Sequence, residues 1–307
     1  MRLATLIHQA RVNARDALEL VLVPALAAVL PWPLCFRIFR SLAGRCSWLY
    51  RASCDSALRE AHARGWVPDD QQGQWLARRR LVTLVDHADM YLSATRPDTW
   101  MARHLKVTGA WPAALEAGIF CTFHWGAGMW GLRHAGMAGM QAHALVAALD
   151  GAHFAGRPVL HWYARRRTAM VAQALQGPTL DVSTSLRPAL RALRNNEQVM
   201  AAIDVPSDQV AASIPVRIAG MDALVPKALL RLAVEQKVPV SIYLTGLDAN
   251  TGQRFLSIEP LGPFEDLDAL AHAVFERLDA AIRADSAAWH FWSEASRFFS
   301  HAEQTSK

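Results

Sequence analysis

The chain has 307 residues, 52% of them hydrophobic, with four cysteines and a net charge of +5. That length suits one large α/β domain or two small ones, and the composition is too apolar for an ordinary freely soluble enzyme and too polar for a protein of many membrane spans. Arginine supplies far more of the positive charge than lysine, which suits an anionic partner such as a lipid headgroup, a phosphopantetheine carrier or nucleic acid.

Cys35, Cys46, Cys54 and Cys121 show neither a C-x-x-C pair nor zinc spacing, so the sequence supports no metal site and no disulfide framework, and it fits a reducing cytoplasmic setting. In chain order, residues 1–55 read as an N-terminal membrane-associated segment. Leu20 to Phe36, "LVLVPALAAVLPWPLCF", carries no charge over 17 residues, with Arg11 and Arg15 before it and Arg37, Arg40 and Arg45 after. A spanning helix needs about 20 apolar residues, and Pro24, Pro31 and Pro33 interrupt this one, so the expectation is a re-entrant or interfacial anchor whose arginines rest on anionic headgroups. A buried hairpin covering the core is the alternative.

Residues 56–300 read as the main α/β domain. Leu76, Leu81, Val82, Leu84 and Val85 keep helical spacing within Ala57 to Ala94, with "ARRR", Ala77 to Arg80, on a solvated or headgroup-facing side. "GIFCTF" then reads as a strand, followed by a glycine-loosened turn and the helix "MWGLRHAGMAGM". Strand-like runs "HALVAAL", "TLDVS", "QVMAAID", "VPVSIYLTGL" and "RFLSIEPLG" alternate with helical "RPVLHWYARRRTAMVAQAL", "LRPALRALRN" and "ALVPKALLRLAVEQ". A terminal helix is expected over Leu267 to Trp292, and residues 301–307 read as a flexible tail. The alternation predicts an α/β fold with a mixed, largely parallel central sheet flanked by helices, its site beyond the carboxyl ends of the strands, where His124 and Asp204 both fall.

No G-x-S-x-G elbow, P-loop, G-x-G-x-x-G or H-E-x-x-H is present, which disfavours serine hydrolases, nucleotide-driven enzymes, dehydrogenases and zinc peptidases. His124 instead closes a strand ahead of small residues, Gly126, Ala127 and Gly128, that let a substrate approach. A basic stripe interleaved with aromatics is missing, so no nucleic-acid partner is expected. "YARRR", Tyr163 to Arg167, offers a phosphate clamp or else a solvated helix face. Arg187, beside Pro188 at a helix start, is poorly placed for the helix dipole and free to meet an outside anion.

The stretch "GIFCTFHWGAGMWGLRHAG" resembles the first block of the bacterial lipid A late acyltransferases, within the wider glycerolipid acyltransferase superfamily. The resemblance continues through "STSLRPALRALRNNEQVMAAIDVPSD", "IPVRIAGMDALVPKALLRLAVEQKVPVSIYLTG" and the close "DSAAWHFWSEASRFF", and the proline-broken apolar N-terminus is similar to that family's membrane anchor. It implies an enzyme on the cytoplasmic face of a bacterial inner membrane. The acyl chain would pass from an acyl carrier protein or coenzyme A thioester to a hydroxyl or amine of a lipid or glycolipid acceptor, with no further cofactor. His124 would be the general base, Gly126 and Gly128 would flank an oxyanion-holding turn, and Arg165, Arg166 and Arg167, with Arg187, would bind the substrate's anionic groups. The family places an acid where this chain has Met129, and methionine can neither orient nor stabilise an imidazolium. Asp204, ending "VMAAID", is the first candidate to replace it, ahead of Asp150 and Asp208. The alternative is a catalytically degenerate relative that binds an acyl carrier or lipid within a biosynthetic assembly.

Overall fold

The computed structural model describes residues 2–113, 116–149, 151–206 and 212–299. Helix α1 (Arg2–Asp16) runs through a π-helical turn, Ala17–Leu22, towards α2 (Leu26–Val29) and α3 (Trp32–Arg45). The prolines set these breaks. Pro24 has no N–H to continue the ladder, and Pro33 is tolerated in the first turn of α3, where a donor would be spare. One face of this segment, with Leu20, Ala27, Trp32, Cys35 and Phe36, is buried, while Leu22, Val29 and Leu34 are exposed. Among the described residues no helix is long and apolar enough to cross a membrane.

The helical stretch expected over Ala57–Ala94 is two helices, α4 (Arg51–Ala63) and α5 (Gln72–Thr95), followed by the short α6 (Asp98–Arg103). The solvated "ARRR" face is corrected: Arg79 and Arg80 are buried. Arg79 donates to the carbonyls of Ala287, Trp289 and His290, and Arg80 to that of Ala43. These guanidiniums are tolerated in the interior because backbone carbonyls accept from them.

A single sheet contains β1 (Leu105–Thr108), β2 (Gly118–Thr122), β3 (Ala142–Val146), β4 (Leu180–Asp181), β5 (Gln198–Ala202), β8 (Val240–Leu247) and β9 (Arg254–Gly262). Its order is β1-β9-β8-β2-β5-β3-β4, parallel throughout except between β8 and β9. The mixed, largely parallel sheet flanked by helices is therefore present. Its central strands are covered on both sides, which is why they read as continuous apolar runs. Ile119, Cys121, Val199, Ala201, Val240 and Ile242 enter one core with α9 (Arg187–Arg194), α10 (Ala228–Gln236) and α11 (Leu267–Ala284). The alternate residues Phe120, Met200 and Tyr243 enter the other, with α3, α5, α7 (Met129–Met137) and α8 (Pro158–Leu175).

Two departures from the sequence reading have clear causes. "ALVP" is no helix start but the end of β7 (Met221–Pro226), which pairs antiparallel with β6 (Ser213–Ile218) across a turn at Ala219 and Gly220. The terminal helix stops at Ala284, and residues 285–292 form a strap of 3-10 turns before α12 (Ala295–Phe299), because their carbonyls bond to α5 and to the loop after β2.

At the head of β9, Arg254 is fully buried and ion-paired with the equally buried Asp89 of α5. Its guanidinium lies 3.9 Å from the ring centroid of Trp32 and 4.4 Å from that of Trp130, so α3 and α7 clamp it from two sides. Burial pushes Asp89 up to about 6 even beside this cation. Arg254→Met is expected to lower stability by about 3–5 kcal/mol by stranding the carboxylate, with Arg254→Met plus Asp89→Asn recovering part of the loss. Urea unfolding of the three proteins measures this.

Candidate active site

Strands β2 and β5 are neighbours, parallel and in register, with Thr122 opposite Ala202. Two residues beyond each lie His124 and Asp204, so the pairing alone brings them to the same height at the carboxyl edge of the sheet. The chain leaves β2 through α7 towards β3 and leaves β5 through the β6–β7 hairpin and α10 towards β8. These departures, to opposite cores and opposite sides, open a crevice between the two strand ends.

Asp204 is completely buried. His124 Nδ1 lies 3.0 Å from its Oδ1, the His124 backbone N–H donates to Oδ1 and Oδ2 at 2.8 and 3.0 Å, and the Trp289 indole N–H donates to Oδ2 at 2.9 Å. Both carboxylate oxygens are acceptors here, which places the proton of the neutral ring on Nδ1 and turns the Nε2 lone pair away from Asp204. Phe291 stacks obliquely on the imidazole, 4.3 Å between centroids. A carboxylate from the end of the adjacent strand thus stands directly behind the imidazole.

The loop 124–126 is shaped by the strap. His290 N–H donates to the His124 carbonyl, Gly126 N–H to the Ala288 carbonyl, and the His290 ring Nε2 bonds the Gly126 carbonyl at 2.7 Å. Gly126 has a φ of +71° and a Cβ there would collide with the Thr245 carbonyl, so glycine is required. Its N–H is already spent on Ala288, and that of Ala127 on Thr245. The oxyanion turn expected from the sequence therefore retains Gly128 N–H, beside the first N–H groups of α7, as its unspent donors among the described residues.

His124 opens on a cavity of about 440 Å³. Met129, Leu132, Leu145, Val146, Val171 and Met200 give it an apolar wall. Its polar wall comes from α5 and α8, where Arg167 donates to Asp86 Oδ1 at 2.8 Å and to the Tyr163 hydroxyl at 3.1 Å, and that hydroxyl lies 2.6 Å from His87 Nδ1. Burial would raise Asp86, but the charge of Arg167 outweighs it and brings the carboxyl down to about 2. Burial holds His87 down at about 3 and, with the charge of Arg79, His290 at about 4, so both rings are neutral near pH 7.

The other expected binding residues part company. Arg167 lines the cavity, already paired to Asp86. Arg165 and Arg166 are exposed on the outer face of α8 beside Trp162, in a separate shallow depression. Arg187 lies elsewhere again, beside Arg231 and Glu235. Asp150, Asp208 and the tail 301–307 lie outside the described residues. Asp86, His87, Trp289 and His290 escaped the sequence reading, although one signal was present: Asp86 and Asp89 fall at helical spacing from Val82, on the stripe of α5 that faces the core. Among the described residues no group of three or more His, Cys, Asp or Glu side chains is placed to hold a metal ion. Compared with known protein families and with curated proteins, the chain finds no match.

A histidine held neutral in the fold binds fewer protons there than in the unfolded chain. Its contribution to stability is therefore complete above about 6.5 and is lost as pH falls towards the folded value. Thermal unfolding between pH 7 and 4 is expected to show stability falling with acidification, and His290→Asn is expected to flatten part of that slope.

Proposed function

We propose that the chain is a membrane-associated acyltransferase that moves an acyl group from a thioester of acyl carrier protein or coenzyme A to a hydroxyl or amine of a lipid or glycolipid acceptor. One observation carries this reading: His124 Nδ1 is tied to a buried carboxylate, leaving Nε2 as a base at the mouth of a largely apolar cavity. Nε2 takes the acceptor's proton as the nucleophile attacks the thioester carbonyl, and Asp204 stabilises the imidazolium that forms. The proton then passes to the departing thiolate. Because Asp204 does for His124 what Met129 cannot, catalysis is favoured over the purely binding alternative.

Membrane contact has its own support. Leu22, Val29 and Leu34 are exposed apolar side chains, and Arg37, Arg40 and Arg45 line a depression on α3. From Leu20 to Cys54 the sequence contains no acidic residue, so an anionic bilayer, such as the cytoplasmic face of an inner membrane, meets no like charge there. Arg165 and Arg166, with exposed Trp162, fit headgroup contact better than a clamp inside the cavity.

Transfer of a radiolabelled acyl chain from carrier-protein and coenzyme A thioesters to extracted bacterial lipids tests the reading. His124→Ala is expected to abolish product, and Asp204→Asn to reduce it by roughly 10⁴-fold, the cost of losing the orienting carboxylate in other histidine-dependent acyl transfers. Undiminished transfer by His124→Ala would remove the base role.

A further inference from the structure

Stabilising the oxyanion of such a transfer requires hydrogen-bond donors that are free before substrate arrives. In the turn after His124, Gly126 and Ala127 have spent their N–H groups on Ala288 and Thr245, which leaves the donors at the start of α7 on one side of the cavity only. The opposite wall of the same cavity holds a side-chain donor. The Tyr163 hydroxyl already accepts from Arg167, and its only close acceptor among the described residues is His87 Nδ1 at 2.6 Å. If His87 donated to Tyr163 instead, the phenolic proton would be left without an acceptor. In the satisfied arrangement Arg167 donates both to Asp86 and to the Tyr163 hydroxyl, and Tyr163 donates its proton to His87 Nδ1. Nε2 of His87 therefore carries the ring proton, has no partner among the described residues, and belongs to a ring that lines the cavity.

We propose that His87 Nε2–H is a second catalytic group of this site, donating to the carbonyl oxygen of the bound thioester while His124 Nε2 accepts the proton of the attacking group. The inference rests on the acyl-transfer reading. As the acceptor oxygen or nitrogen bonds to the carbonyl carbon, its proton moves to His124 and the carbonyl π pair moves onto the oxygen held by His87. Collapse breaks the carbon–sulfur bond, and the thiolate leaves with the proton from His124. A neutral imidazole suits the task, because it donates without burying a second cation beside Arg167, and burial holds His87 in that state. Tyr163, Arg167 and Asp86 are positioning residues that fix which ring nitrogen carries the proton.

Two measurements test this. In protein labelled with ¹⁵N at histidine, the free state is expected to show His87 protonated at Nε2 alone. Addition of a non-hydrolysable ketone analogue of dodecanoyl-pantetheine is expected to shift the His87 and His124 resonances together. A shift at His124 with His87 silent would overturn the role of His87 and leave the acyl-transfer reading intact, whereas silence at both would overturn that reading and this inference with it. In kinetics with dodecanoyl thioesters, His87→Phe is expected to lower kcat on the order of a hundredfold with little change in KM, the loss typical of one oxyanion donor. His87→Gln, which keeps an N–H at similar reach, is expected to recover at least tenfold of that loss, and Tyr163→Phe to fall between. Equal kcat for wild type and a folded His87→Phe would overturn the proposal.

Discussion

Everything at the carboxyl edge of this sheet depends on keeping one carboxylate out of water. Asp204 has no exposed surface, and an isolated buried carboxylate is so costly that it would neutralise or unfold its surroundings. It is tolerated because N–H groups converge on it from two distant parts of the chain, the backbone and ring of His124 and the indole of Trp289. Those donors arrive only if β2 and β5 pair in the observed register and if the strap is drawn across the crevice. Arg79 holds the strap by three of its carbonyls, and Arg78 bonds Asp285 at its start with Nε 2.7 Å from the carboxylate. Arginines that look like a charged helix face are thus structural ties to the far end of the chain.

Much of the fold was legible because parallel strands buried on both faces leave long apolar runs, as in "GIFCT" and "QVMAA", and because proline and glycine mark the ends of the elements. The β6–β7 hairpin was not legible, since "IPVRIAGMDALVP" mixes apolar runs with small residues and merges into the helical pattern of α10. The strap was hidden for a different reason. "ADSAAWHFW" has acceptable helical composition, and only contacts with residues about two hundred positions away pull it out of a helix. His124 and Asp204 were readable from their places at strand ends. His87 and Trp289 were not, because each owes its place to a partner that sequence spacing does not connect to it.

Met129 takes on a different meaning beside this geometry. It begins α7, whose first turn carries no acidic residue, and its side chain is almost wholly buried against the cavity. An acid there would complement the helix dipole but bring a second carboxylate into a space already holding the Asp86–Arg167 pair. Placing the carboxylate at the end of β5 keeps it behind the imidazole, and methionine leaves the wall beside His124 apolar and adaptable.

The guanidinium of Arg254 between Trp32 and Trp130 bears on how the chain is divided. A boundary near residue 55 implies a separable N-terminal attachment, yet Trp32 also donates its indole N–H to the Gly252 carbonyl and packs into the core that contains α7 and α8. Trp130 is the residue after Met129, so the same stacked cation touches the first helix to reach the cavity and the helices that precede the domain. The two parts share one core, and the N-terminal helices form a wall of the α/β domain.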